Sequence, residues 1–221
     1  MPRIIIVGAG DFGRELYGWL ESDSSITSKE SIFFIDDNEH CLKPFPYLVD
    51  KYLGKIQDFE NLEGDKIFLG ISEPSTKQRI KLELDKNNIK LSTYINETSI
   101  VSKNSIIGSG SIICPFVTIS FGAKLGENVT LNRYAAIAHD VELGEFTSIM
   151  SFSEIMGWGV VEPHVFIGSH ASVLPKVKIF KAAKVGAGSV VITDVRAGMT
   201  VFGNPARYLK EPTNPTDKAD N

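Results

Sequence analysis

The chain has 221 residues, 43% hydrophobic and 23% charged, with a formal net charge of −4. That balance suits a globular protein with a real core, and the mild acidity argues against nucleic-acid binding through phosphate neutralisation. Two cysteines, Cys41 and Cys114, lie far apart without CxxC spacing, which argues against a disulfide framework and a thiolate metal site.

In chain order, MPRIIIVGAG carries one basic residue and an apolar run too short for a signal peptide, and no segment approaches eighteen apolar residues, so a cytoplasmic protein is expected. The sequons at Asn96 and Asn128 then read as chance matches. A strand over Ile4 to Val7, the turn GAGDFG, a helix through Glu15 to Leu20 and a strand over Ser31 to Ile35 ending in Asp36-Asp37 predict the opening of a βαβ unit. Residues 1–94 are therefore expected to form a Rossmann-like α/β domain. Its glycines Gly8, Gly10 and Gly13 allow a tight turn, close approach to phosphate and close helix packing. A purely structural turn uses the same residues, but the strand–turn–helix setting favours a nucleotide. Only one mononucleotide half fits in residues 1–94, which disfavours a dehydrogenase. A strand over Ile67 to Ile71 and a helix over Ser75 to Asn87 follow, and Lys90 to Ile95 leads into the next region.

From Ile95 an Ile, Leu or Val recurs every six residues to Val191, seventeen positions out of seventeen. Four places later, a column from Ser99 to Val195 holds only small or β-branched residues. Six residues make a flat side and three sides a coil, so residues eighteen apart stack, with aliphatic side chains on the axis. Each fully buried aliphatic contributes ~1.5 kcal/mol or more. The residue after the aliphatic one is often glycine, at Gly108, Gly126, Gly144, Gly168 and Gly186, which predicts positive φ there. A parallel β-helix is therefore expected over 95–208, with a polar tail over 209–221 that is disordered from Thr213.

Of four histidines, His40 reads as a solvated loop residue. His164 and His170, six apart, fall on adjacent sides as surface or groove residues. His139 is distinct, because stacking puts Phe121 one coil below and Gly157 one coil above. An imidazole titrating near ~6.5 suits a general base, a glycine amide can receive an oxyanion, and Asp140, Glu142 or Glu145 could orient the ring. The rival is a hydrogen-bonded surface histidine.

GAGDFG, Asp36-Asp37, the hexapeptide array, His139-Asp140 and the closing GNPAR, Gly203 to Arg207, together resemble the bacterial sugar O- and N-acyltransferase family of sialic acid O-acetyltransferases and nucleotide-aminosugar N-acetyltransferases. The resemblance covers nearly the whole chain. It implies a left-handed coil, which the spacing does not set and which opposes the usual crossover rule. It also implies a homotrimer with acetyl-CoA in a groove between subunits, no metal, and a UDP-, dTDP- or GDP-linked amino sugar as acceptor in surface polysaccharide or lipopolysaccharide biosynthesis. By position, His139 is the base, Asp140 raises its basicity and Gly157 supplies the oxyanion amide. Gly10, Asp11, Phe12, Gly13, Asp36, Asp37, Gly70 and Ile71 contact the nucleotide, Asn132 lies near the sugar, and acetyl-CoA runs along Ser148, Ser169 and Ala187. Two departures matter: Ser148 stands where some relatives have a second histidine, and many relatives carry Glu at Asp140. The alternatives are O-acetylation of a sugar hydroxyl, a zinc carbonic anhydrase, which the histidine spacing disfavours, and a non-catalytic scaffold.

Overall fold

The computed structural model describes residues 3–26 and 31–209; the tail from Thr213 lies outside them. The N-terminal module is a parallel sheet of β1 (Arg3–Val7), β2 (Ser31–Ile35), β3 (Tyr52–Gly54) and β4 (Lys66–Leu69), in the order β3-β2-β1-β4. Two helices pack on it, α1 (Asp11–Ser22) and α2 (Pro74–Lys86). Strand β1 is buried from Ile4 to Val7, as expected of a strand covered on both faces. The short β3 has no counterpart in the sequence reading, because a three-residue strand ending in Gly54 and pairing with a register shift leaves no periodicity to read. Strand β4 stops at Leu69, so Gly70 and Ile71 belong to the following loop rather than to the expected strand.

Beyond residue 93 the backbone coils as a triangular prism of three stacked parallel sheets, consistent with the left-handed β-helix. The first sheet contains 94–95, 112–113, 130–131, 148–149, 166–167 and 184–185, continues into 200–202 and ends with 207–208 running antiparallel. The second contains 100–101, 118–119, 136–137, 154–155, 172–173 and 190–191; the third contains 106–107, 124–125, 142–143, 160–161 and 178–179. From 94–95 to 190–191 the paired strands are offset by eighteen residues, as in Thr130↔Ser148 and Ala136↔Glu154; the last parallel pair closes on sixteen, Lys184↔Thr200. Both predicted columns fill the core from Ile113 upward, where Leu131, Val165, Ile167 and Ala183 are buried. Ile95, the first of the series, is 43% exposed, because no complete coil lies beneath it to close the axis.

The corners correct one expectation. Positive φ falls three residues after the axial aliphatic, in the columns Phe116, Tyr134, Phe152 and His170; Asn128, Phe146, His164 and Ala182; and Asp140, Trp158 and Lys176. Gly108, Gly126, Gly144, Gly168 and Gly186 do not have it. They are needed for space: a Cβ on Gly108 would lie 2.4 Å from the Gly126 carbonyl carbon, and one on Gly144 would lie 2.3 Å from the Pro163 nitrogen. Adjacent coils therefore approach there more closely than a methyl group allows.

The N-terminal module covers the outer face of the first sheet. Tyr94, Ile112 and Cys114 pack with Ile4, Phe12 and Leu16. At the end of α1, Asp23 accepts from the Tyr94 hydroxyl at 2.8 Å and from Asn96 Nδ2 at 3.4 Å. Burial raises the Asp23 carboxyl, but donors from Ser25 and Tyr94 outweigh it and hold the group below its ordinary value. Asn96 and Asn128 are 5% and 3% exposed, so neither sequon is open to modification. Among the described residues no helix is long and apolar enough to cross a membrane.

Candidate active site

His139 follows the second-sheet strand 136–137 and opens the corner between the second and third sheets. Its side chain is 58% exposed. The next residue, Asp140, holds φ +57°, a conformation that aspartate tolerates better than most residues, and this turn brings its carboxylate back to the ring. Nδ1 of His139 lies 3.0 Å from Asp140 Oδ2. A carboxylate accepts only, so in the neutral ring Nδ1 carries the hydrogen and Nε2 keeps its lone pair. The sequence left Asp140, Glu142 and Glu145 open as partners, and the contact is made by Asp140.

Two glycines frame this pair. One coil above, a Cβ on Gly157 would lie 2.6 Å from both Cε1 and Nε2 of His139. One coil below, a Cβ on Gly122 would lie 2.6 Å from Asp140 Oδ1. Gly157 therefore leaves room for the ring and Gly122 for the carboxylate; the eighteen-residue rule reached the first, and the same rule applied to Asp140 would have reached the second. Trp158 donates its amide to the His139 carbonyl at 3.1 Å and sets its ring edge-on to the imidazole, 6.2 Å between centroids. Among the described residues no backbone carbonyl accepts the Gly157 N–H. A free donor thus lies beside the imidazole edge that carries Nε2.

A cleft of about 480 Å³ opens at the carboxyl ends of β1, β2 and β4, a size ordinary for a small-molecule site. Gly8, Gly10, Asp11, Phe12, Asp36, Asp37, Gly70 and Ile71 line it together, so most of the predicted nucleotide residues converge. Gly13 lies underneath, where a Cβ would strike the Gly8 carbonyl oxygen at 2.0 Å; it allows α1 to approach β1. Gly10 caps α1 without a side-chain hydrogen bond, leaving the first amides of the helix available to an anion. Asp36 accepts from the Ala9 amide at 2.7 Å and the Asn38 amide at 2.8 Å, which holds the glycine turn against β2, while Asp37 is exposed. Ser72, Glu73, Thr76 and Arg79, from the start of α2, complete the wall and were missed in the sequence. Their signal was the Ser72-Glu73-Pro74 helix start, where Glu73 caps α2 by accepting from the Thr76 amide at 2.8 Å.

Other expected residues scatter. Asn132 is buried at the end of a first-sheet strand, its Oδ1 accepting from the Arg133 amide at 2.7 Å, on a different side of the prism from His139. Ser148 is fully buried, with no hydrogen-bond partner for Oγ. That corrects its expected contact with acetyl-CoA: it lies on the sheet face that the N-terminal module covers. Ser169 and Ala187 occupy equivalent surface places on successive coils. His164 and His170 sit at different corners, each stacked on an aromatic ring, Phe146 and Phe152. Burial, then Lys181, lowers the His164 pKa. Among the described residues no group of three or more His, Cys, Asp or Glu is placed to hold a metal.

A coil built from six-residue repeats and carrying an exposed His-carboxylate pair framed by glycines defines a hexapeptide-repeat acyltransferase. Over 226 residues the chain is 30% identical to GDP-perosamine N-acetyltransferase of Escherichia coli O157:H7, covering 93% of this chain and 95% of the relative. It is similar in structure to WeeI from Acinetobacter baumannii AYE, at 27% identity and a TM-score of 0.83, covering 95% of this chain and 100% of that one. It is also similar to the acetyltransferase domain of PglB from Neisseria gonorrhoeae FA1090 in complex with acetyl coenzyme A, at 25% identity and a TM-score of 0.82, covering 94% and 98%. No family model matches the sequence. The chain belongs to the hexapeptide-repeat family of acetyl-CoA-dependent nucleotide-aminosugar N-acetyltransferases.

Proposed function

We propose that this protein transfers the acetyl group of acetyl-CoA to the amine of a nucleotide-linked sugar, with His139 as general base. The observation that carries the mechanism is the His139–Gly157 arrangement. Nε2 takes a proton as the sugar nitrogen attacks the thioester carbon, and the free Gly157 N–H receives the charge on the carbonyl oxygen. Collapse of the tetrahedral intermediate breaks the C–S bond, and the imidazolium returns the proton to the departing CoA thiolate. Asp140 fixes the tautomer that leaves Nε2 basic. No covalent acetyl-enzyme is required: Cys114 is fully buried against the N-terminal module, and burial raises its thiol well above the ordinary value.

In this reading residues 1–94 hold the nucleotide in a Rossmann-like fold. Strand order 3-2-1-4 and a cleft across the ends of β1, β2 and β4 support it, because such sheets bind ligands at the crevice where strand order reverses. Residues 95–208 carry acetyl transfer, with Ser169 and Ala187 along the acetyl-CoA path. The N-terminal module covers the first sheet, whereas His139 occupies the one corner that does not border that sheet, so a chain's own cleft and its own His139 lie on opposite sides of the prism. A site completed between copies in a homotrimer resolves this separation. The exposed column Phe116, Tyr134 and Phe152, stacked with His170 at 4.7–4.8 Å, offers an apolar edge for a neighbouring copy.

The acceptor is tested by incubating the protein with acetyl-CoA and GDP-, UDP- and dTDP-linked amino sugars, following thiol release and the product. Amide formation with at least one of them is expected, with GDP-perosamine first to try given the relative's name. Thiol release with none, or an ester product, overturns the reading. The same reading places the enzyme in the making of a surface glycan such as lipopolysaccharide.

A further inference from the structure

Lys77 lies on α2 with Ile80 and Leu84, on the face turned into the protein, and is 1% exposed. Its Nζ reaches the outer face of the prism and donates to Asn128 O at 2.9 Å, Thr147 O at 3.0 Å and Thr130 Oγ1 at 3.2 Å. Three acceptors thus surround the nitrogen, contributed by two successive coils. Among the described residues it makes no ion pair, and burial pushes its pKa well below the usual lysine value, with Glu73 partly opposing.

Stability does not account for a lysine here. A buried amine without a carboxylate partner, charged or neutral, carries a desolvation penalty that a methionine of similar length would avoid. Placement does account for it. The prism repeats every coil, so apolar packing alone leaves the module's height and angle weakly defined. Directional bonds fix both, as buried polar groups fix register elsewhere. Along this face the outward residues run Ile112, Thr130, Ser148 and Phe166, so the hydroxyl-bearing notch is two rungs deep and closed by apolar side chains at either end. The neighbouring Thr76, with Glu73 and Arg79, lines the cleft, and fixing Lys77 therefore fixes the cleft.

We propose that Lys77 is a positioning residue that sets the nucleotide cleft at one height and angle on the prism, so that the bound sugar reaches the acetyl-transfer centre. The proposal rests on the function given above, and its test separates the two. Lys77→Met and Thr130→Val are compared with the wild type, as full chains, for kcat and for KM of GDP-perosamine and of acetyl-CoA. In parallel, distance distributions are recorded between nitroxides on Gln78→Cys and Lys124→Cys, with Cys41 replaced by alanine and labelled chains diluted into unlabelled ones.

Lys77→Met is expected to lower kcat by about tenfold or more, because misplacement of about 1 Å is that costly. Both KM values should hold within about twofold, since the cleft and the acetyl-CoA groove are intact, and the distance distribution should broaden. Thr130→Val, losing one of three bonds, should show the same pattern at about threefold, and it decides the matter if Lys77→Met does not fold. Unchanged kcat with an unchanged distribution in the folded variants overturns the proposal. If the wild type transfers no acetyl group, the function fails instead, and the distance distributions alone decide for or against Lys77.

Discussion

Replacing His139 by alanine is expected to lower kcat/KM for acetyl transfer by about 10²–10⁴-fold, the range for a lost general base. The imidazole is 58% exposed, and among the described residues its only side-chain hydrogen bond runs to Asp140. Its loss should therefore leave the fold within about 0.5 kcal/mol of the wild type. Nucleotide binding should be unaffected, because no β-helix residue lines the cleft. Thiol-release kinetics, thermal melting and nucleotide titration read these separately. A variant that melts and binds normally but transfers at the wild-type rate would remove His139 from the chemistry.

Gly157→Ala is expected to be nearly as damaging to catalysis and harmless to folding. Its Cβ would lie 2.6 Å from Cε1 and Nε2 of His139, well inside van der Waals contact. The obstacle is the end of an exposed side chain, so the ring swings outward and the coil survives. The consequence is chemical: Nε2 leaves its place and a methyl group crowds the Gly157 N–H, weakening base and oxyanion donor together. A fall in kcat of about 10²-fold or more follows, with the melting temperature unchanged. Wild-type turnover in Gly157→Ala would mean that the imidazole works from some other position.

The six-residue period made the prism legible because each side chain points to the axis or to solvent by position alone, and the eighteen-residue stack follows arithmetically. His139 beside Gly157 was read that way. Features depending on distances between coils were not legible: Gly108 and Gly144 serve close approach rather than positive φ, a distinction that composition cannot carry. Ser148 was assigned to a ligand because no sequence pattern says which face the N-terminal module covers. Lys77 did leave a trace, as a charged residue in the apolar stripe with Ile80 and Leu84, but a lysine there ordinarily reads as a stem lying along the surface with its charge in water. The glycine turn at the cleft was readable from GAGDFG in its strand–turn–helix setting, whereas the wall supplied by Glu73, Thr76 and Arg79 required the packing of α2 across the sheet ends.

The separation of cleft and base within one chain is tested most directly by mixing two inactive variants. His139→Ala keeps the cleft, and Gly10→Phe fills it from a position where nothing lies within 4 Å of a new Cβ. In trimers reassembled from equal amounts, about three quarters contain both chains, and each of these has one intact site of three if neighbouring copies share a site. Acetyl transfer is then predicted to recover to about a quarter of the wild-type level; a mixture as inactive as its parents would contradict a site built between copies.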